Sequence, residues 1–156
     1  MKIAIFVDVQ NIYYTTKQAY GRQFNYRSFW QLISEKGDIV IANAYAIERN
    51  DDGQKRFQTA LKSIGFTIKL KPFIQRSDGT AKGDWDVGIT IDVLEAANKV
   101  DEVILLSGDG DFSLLLDKIR DKHTVLTHVF GVPKLTAKAL IDSSNYYTQI
   151  DHSFLL

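Results

Sequence analysis

Ile3–Val7 is an unbroken apolar run rich in β-branched residues, and it stops abruptly at Asp8. A strand with no polar face must be covered on both sides, as in a parallel sheet held between helices. Comparable strand signals recur over 39–47, 66–73, 102–106 and 124–130. Between them lie stretches of helical periodicity. One is opened by Asn11 and closed by Gly21, one runs from Asn25 to Gly37, and one is capped by Asp51 or Asp52 and stopped by Gly65. Further helices are expected over 84–98, 111–122 and 135–142. Lys69 and Lys71 alternate with Ile68 and Leu70, which puts the third strand near a sheet edge. Residues 74–83, containing Ser77, Asp78, Gly79 and Gly83, read as a mobile loop. No linker or repeat divides the 156 residues, so one α/β domain spanning 1–156 with a mostly parallel sheet of about five strands is expected.

In such sheets ligands bind outside the carboxyl ends of the strands. Three segments deliver acids there: F-V-D-V-Q-N at 6–11, K-G-D-W-D-V at 82–87 and S-G-D-G-D-F at 107–112. A lone Asp in such a position is ordinarily a helix cap. Several at one edge repel one another unless a cation or a bound proton neutralises them. Asp109 and Asp111 flank Gly110, a spacing that turns both carboxylates toward one point. Hard oxygen donors of this kind suit Mg²⁺ or Mn²⁺, one ion or two, which activate water for attack on phosphorus and stabilise a leaving oxygen. On the helix after Trp85, Asp86 shares a face with Thr90 and Val93, and Asp92 lies about 120° away. Asp8, Asp86, Asp109 and Asp111 are therefore the candidate site, Asp84 a cap and Asp92 a supporting or solvated residue.

Other motifs fail on the same residues. A calcium loop beginning at Asp109 needs Gly at its sixth position, where Leu114 stands. Gly108 and Gly110 lack the third glycine of a dinucleotide loop, and no Walker sequence or G-x-S-x-G elbow occurs. A phosphatase with Asp8 as nucleophile wants an acid two residues on, where the chain has Gln10.

In these three motifs, taken in order, the sequence resembles the NYN domain family, in its LabA-like branch of the PIN-like nucleases. The resemblance spans nearly the whole chain. It implies an α/β/α sandwich, a Mg²⁺ or Mn²⁺ site and cleavage of RNA, single-stranded or structured. It places the catalytic and metal-ligating acids at Asp8, Asp86, Asp109 and Asp111. Asn11 falls on the family's Asn after the first strand and Ser107 on its small hydroxyl residue, both expected to orient substrate or water. The chain departs from the family at Asn145, where relatives carry Asp. With no general-base His in the motifs, the same fold is also compatible with a non-catalytic regulatory module that binds RNA, a nucleotide or a protein.

The 19 basic and 19 acidic side chains cancel, yet they are not mixed. Residues 53–82 hold seven basic side chains and one acid, a balance of +6, whereas residues 83–121 carry −7. Lys55, Arg56, Arg76 and Lys82 are accordingly the expected phosphate contacts. Phe57, Phe66 and Phe73 among them read as core. Tyr13 and Tyr20, seven residues apart, are expected to pack on one face, with Tyr14 at the cleft mouth. His123, His128 and His152 have no metal-ligand spacing, and Trp30 and Trp85 read as core anchors. Zero cysteine excludes disulfides and thiolate sites. The first apolar run is too short for a signal peptide and none reaches transmembrane length, so a cytoplasmic protein without membrane attachment is expected. RNA is the expected partner, and a homodimer is compatible with the sequence.

Overall fold

The computed structural model describes residues 1–49, 51–72, 74–75, 81–82 and 84–156, with 74–75 and 81–82 as backbone only. The chain runs β1 (Lys2–Asp8), α1 (Val9–Tyr20), α2 (Tyr26–Ser34), β2 (Asp38–Glu48), α3 (Asp52–Ile64), β3 (Thr67–Pro72), β4 (Ile74–Gln75) and β5 (Ala81–Lys82). It continues with α4 (Asp86–Ala96), β6 (Glu102–Leu106), α5 (Ser113–Lys122), β7 (Leu126–Gly131), α6 (Lys138–Ser143) and β8 (Tyr146–Gln149). Six strands form one sheet in the order β3-β2-β1-β6-β7-β8, every neighbouring pair parallel.

The unbroken apolar run at the amino terminus is explained by its place at the centre of this sheet. Ile3, Ile5 and Val7 point into a core shared with Ile12 of α1, Phe29 and Ile33 of α2 and Leu61 of α3. Ala4 and Phe6 point the other way, against Ile89 and Val93 of α4 and Leu116 and Ile119 of α5. Both faces are dry, and the expected α/β/α sandwich results. Burying these chains on both sides supplies the main stabilisation, about 1.5–3 kcal/mol for each large aliphatic or aromatic side chain.

The sheet has six strands rather than about five. The extra one, β8, holds the free edge beyond β7 and reads Tyr-Tyr-Thr-Gln, without the apolar run that marks a covered strand. β3 is the other edge, as the Lys69 and Lys71 alternation indicates. Within 74–83, read as a loop, β4 and β5 form a short antiparallel ribbon. The first helix also begins earlier than expected. Asp8, not Asn11, is its cap: the Asp8 carboxylate accepts the Asn11 backbone N–H at 3.3 Å.

The strand order reverses direction between β1 and β6. The connection from β1 leads to β2 on one side, and the chain returns to lay β6 on the other. A crevice opens outside the carboxyl ends at such a switch point. Asp8 ends β1 there, and Ser107 to Asp111 leave β6 beside it.

Candidate metal centre

The loop after β6 is fixed before any acid is considered. Ser107 is fully buried; its hydroxyl donates to Asp8 Oδ2 at 3.2 Å and accepts the Asp109 N–H at 3.1 Å. The Asn11 carboxamide oxygen accepts the Gly108 N–H at 2.8 Å, so α1 and the loop are tied directly. Asp109 accepts the Asp111 N–H at 2.9 Å and thereby starts a 3₁₀ turn over Gly110–Phe112, whose Phe112 is buried. The glycines in this motif serve packing. A Cβ on Gly108 would lie 2.3 Å from the Leu135 carbonyl oxygen, and one on Gly110 would lie 2.8 Å from Ala137 Cβ. The segment after β7 presses on the acidic loop from behind, and Ala137 N–H donates to Gly108 O at 3.0 Å.

Asp86 comes from another element, the first turn of α4. Asp84 accepts its backbone N–H at 3.1 Å from the position before the N-cap; the N-cap itself is Trp85 in place of the expected Asp84. The helix is pinned to the sheet by a polar network on its inner side. Asp92 accepts the Tyr45 hydroxyl and the Lys69 ammonium, each at 2.7 Å. Trp85 Nε1 donates to Ala46 O at 2.8 Å, with the Lys71 ammonium 4.6 Å from its ring centroid. Lys71 also donates to Asp84 O at 3.0 Å. Asp92 is thus a supporting residue.

These supports bring Asp86, Asp109 and Asp111 together: one carboxylate oxygen from each lies within 4.8 Å of the others. The three would hold one hard divalent cation after side-chain rotations that bring their oxygens closer together. Three carboxylates with no nitrogen or sulfur donor are the donor set of a hard cation. Asp8, expected as a fourth ligand, is not in this group, and its oxygens accept from Asn11 and Ser107.

The electrostatics have the same origin. Burial pushes the Asp8 carboxyl up to about 6, against the pull of its hydrogen bonds from Asn11 and Ser107 and with added repulsion from Asp109 and Asp84. Asp86 is pushed up to about 7 by desolvation, by a hydrogen bond shared with Asp109, and by the charges of Asp109, Asp84 and Asp8. A divalent cation placed among these acids would favour their ionised forms.

The remaining expected contacts scatter. Lys55 and Arg56 are exposed on α3. Lys82 lies in β5, but its side chain and the whole of Arg76 and Phe73 lie outside the described residues. Phe57 and Phe66 belong to the core, as expected. Tyr13 does not pack with Tyr20. It is 44% exposed beside Lys17, whereas Tyr20 is covered by the C-terminal segment and donates its hydroxyl to Ile150 O at 2.7 Å. Asn145 is remote from the acids. Its carboxamide oxygen accepts from Thr127 N at 2.9 Å and Thr127 Oγ1 at 3.1 Å, where β8 begins beside the start of β7. That is toward the amino ends of the parallel strands, whereas Asp8 stands at the carboxyl end of β1. Lys69 and Lys71, which belong to the same +6 segment, are committed to α4.

Known proteins agree with this architecture. The sequence profile of the NYN domain matches residues 2–151, and the chain belongs to the NYN domain family. It is 30% identical over 158 residues to the Low amplitude and bright protein LabA of Synechococcus elongatus, an overlap covering 96% of this chain and 84% of that protein. The crystal structure of a protein of unknown function from Vibrio parahaemolyticus matches with a TM-score of 0.95 at 52% identity, covering 99% of this chain and 96% of that one. Among the described residues, no helix is long and apolar enough to cross a membrane.

Proposed function

We propose that this protein is a divalent-metal-dependent ribonuclease that hydrolyses RNA phosphodiester bonds at the acidic cleft. The observation that carries the reading is the convergence of Asp86, Asp109 and Asp111 within 4.8 Å at the switch point of the sheet. These three would hold one Mg²⁺ or Mn²⁺, with Asp8 as an additional anionic neighbour able to hold a second. A bound ion of this class supplies a polarised water at neutral pH and stabilises charge on phosphate oxygens. Asp86, with its carboxyl raised to about 7, would ionise more readily with a divalent cation beside it. Asn11 and Ser107 act as positioning residues: the first fixes the loop that carries Asp109, the second joins that loop to Asp8. Arg56 and Lys55 would meet the phosphates of bound RNA from α3.

Incubating the protein with labelled mixed-sequence single-stranded RNA and Mn²⁺, beside Asp109→Asn and an EDTA control, tests this. Cleavage by the parent protein alone, and only with metal, is expected. Equal cleavage by both preparations contradicts the assignment. Tight RNA binding without turnover under any divalent ion replaces it with a regulatory binding module.

A further inference from the structure

Beside the acidic site lies a cavity of about 930 Å³ bounded by α1, α2 and α3. It begins at Val9 and Gln10, directly after Asp8, and passes Ala46 and Ile47 at the carboxyl end of β2. Its floor is apolar, with Ile12, Tyr26, Phe57 and Leu61 among its lining residues. Its rim carries Tyr13 and Tyr14 from α1, Arg27 from α2 and Arg56 from α3.

We propose that this cleft is the path of a single-stranded RNA segment approaching the acidic site, with bases stacked on Tyr13 and Tyr14 and phosphates held by Arg27 and Arg56. The proposal rests on the ribonuclease reading and specifies its substrate as unpaired. Tyr13 and Tyr14 are 44% and 51% exposed, and their rings meet edge to face at 5.4 Å, so they present two faces at different angles. Exposed aromatics along a cationic groove bind unpaired bases without regard to sequence. Arg27 and Arg56 are exposed, and neither forms a salt bridge among the described residues. Asp51 is an acid on the same rim, and it is engaged as the cap of α3, accepting the Gln54 N–H at 2.7 Å.

A duplex fits these features poorly. An A-form helix keeps its base faces stacked inside and would meet the rim through backbone contacts, leaving the apolar floor without a partner. A lone nucleotide is also disfavoured. The cavity is at the upper end of the roughly 300–1,000 Å³ range of small-molecule sites, and its aromatics and cations are spread over three helices.

Fluorescence anisotropy with a labelled oligoribonucleotide of about 12 residues, in EDTA to prevent turnover, tests the path. The parent protein is expected to bind the single strand at least ten-fold more tightly than the matched duplex or AMP. Tyr14→Ala is expected to weaken single-strand binding about five-fold or more, and Tyr14→Phe to restore it. Arg27→Gln with Arg56→Gln is expected to lower the slope of log affinity against log salt by about 1.4, since each phosphate contact contributes about 0.7 on single strands. Cross-linking of the parent protein to a 4-thiouridine oligomer should label the α1 peptide containing Tyr13 and Tyr14, a readout independent of any variant's folding. Unchanged binding in all variants, equal affinity for duplex or AMP, or cross-links confined to other segments overturns the path. Mn²⁺ binding separates the two readings. If the cleft variants bind RNA normally while Asp109→Asn loses Mn²⁺, the path is wrong and the metal centre stands. If RNA binding follows the cleft while Mn²⁺ never binds, the path stands and the nuclease fails.

Discussion

Replacing Asp8 by Asn should make the metal-free protein more stable, in a manner set by pH. In the folded chain the Asp8 carboxyl titrates at about 6, against 3.8 when unfolded. The unfolded chain therefore releases this proton first as pH rises. The folded state is penalised progressively between pH 4 and pH 6 and carries the whole penalty above that range. A displacement of roughly two pH units corresponds to about 3 kcal/mol. Asn retains a carbonyl oxygen for the Asn11 N–H but gives Ser107 a different partner, a loss of about 1 kcal/mol. The net gain at pH 8 is then about 2 kcal/mol, or roughly 4–8 °C in Tm for a chain of this length. Thermal melts in EDTA at several pH values measure it directly. The gain should vanish at about pH 4.5, where the penalty on Asp8 has fallen to the roughly 1 kcal/mol lost at Ser107, and reverse below it. A parent protein more stable than the variant at pH 8 in EDTA, or a difference independent of pH, would refute the reasoning.

Other perturbations separate the site from its scaffold. Gly108→Ala forces a methyl against the Leu135 carbonyl, so we expect about 1–3 kcal/mol of destabilisation in melts and loss of Mn²⁺ binding by calorimetry. Asn145→Asp should leave Mn²⁺ affinity unchanged in the same titration, because the residue stands near the amino end of β7 and the acids at the carboxyl ends of the strands; a large gain in affinity would contradict that placement. His128 is held neutral by burial and by Lys36, its ring depressed to about 4. The unfolded chain protonates it first as pH falls below 6.5, so stability should decline between pH 6.5 and pH 4. NMR titration of the ring, beside melts of His128→Gln, checks this, and an ordinary imidazole titration near 6.5 would contradict it.

Much of this molecule was legible in its sequence for identifiable reasons. Ile3–Val7 announces a strand covered on both faces, and the strands that follow repeat the signal. β8 is not legible, because Tyr146–Gln149 sits at an edge and needs no continuous apolar run. Asp8 and Asn11 are both good caps, and only the backbone geometry decides that Asp8 takes the role and frees Asn11 to hold Gly108. A seven-residue spacing correctly puts Tyr13 and Tyr20 on one face but is silent about where the C-terminal segment covers it. Lys69 and Lys71 are ordinary charges in a count and become fastenings of α4 only when Asp92 and Trp85 are seen beneath them. That Asp86, Asp109 and Asp111 come together was readable because each follows a strand or opens a helix. The cleft between α1, α2 and α3 is built from three helices whose mutual placement no local pattern encodes.

The most direct test of the metal centre is anomalous diffraction from crystals soaked in Mn²⁺. We expect a peak within coordination distance, about 2.0–2.3 Å, of carboxylate oxygens from Asp86, Asp109 and Asp111. A well-ordered structure at saturating Mn²⁺ with no peak among these three residues would contradict the account.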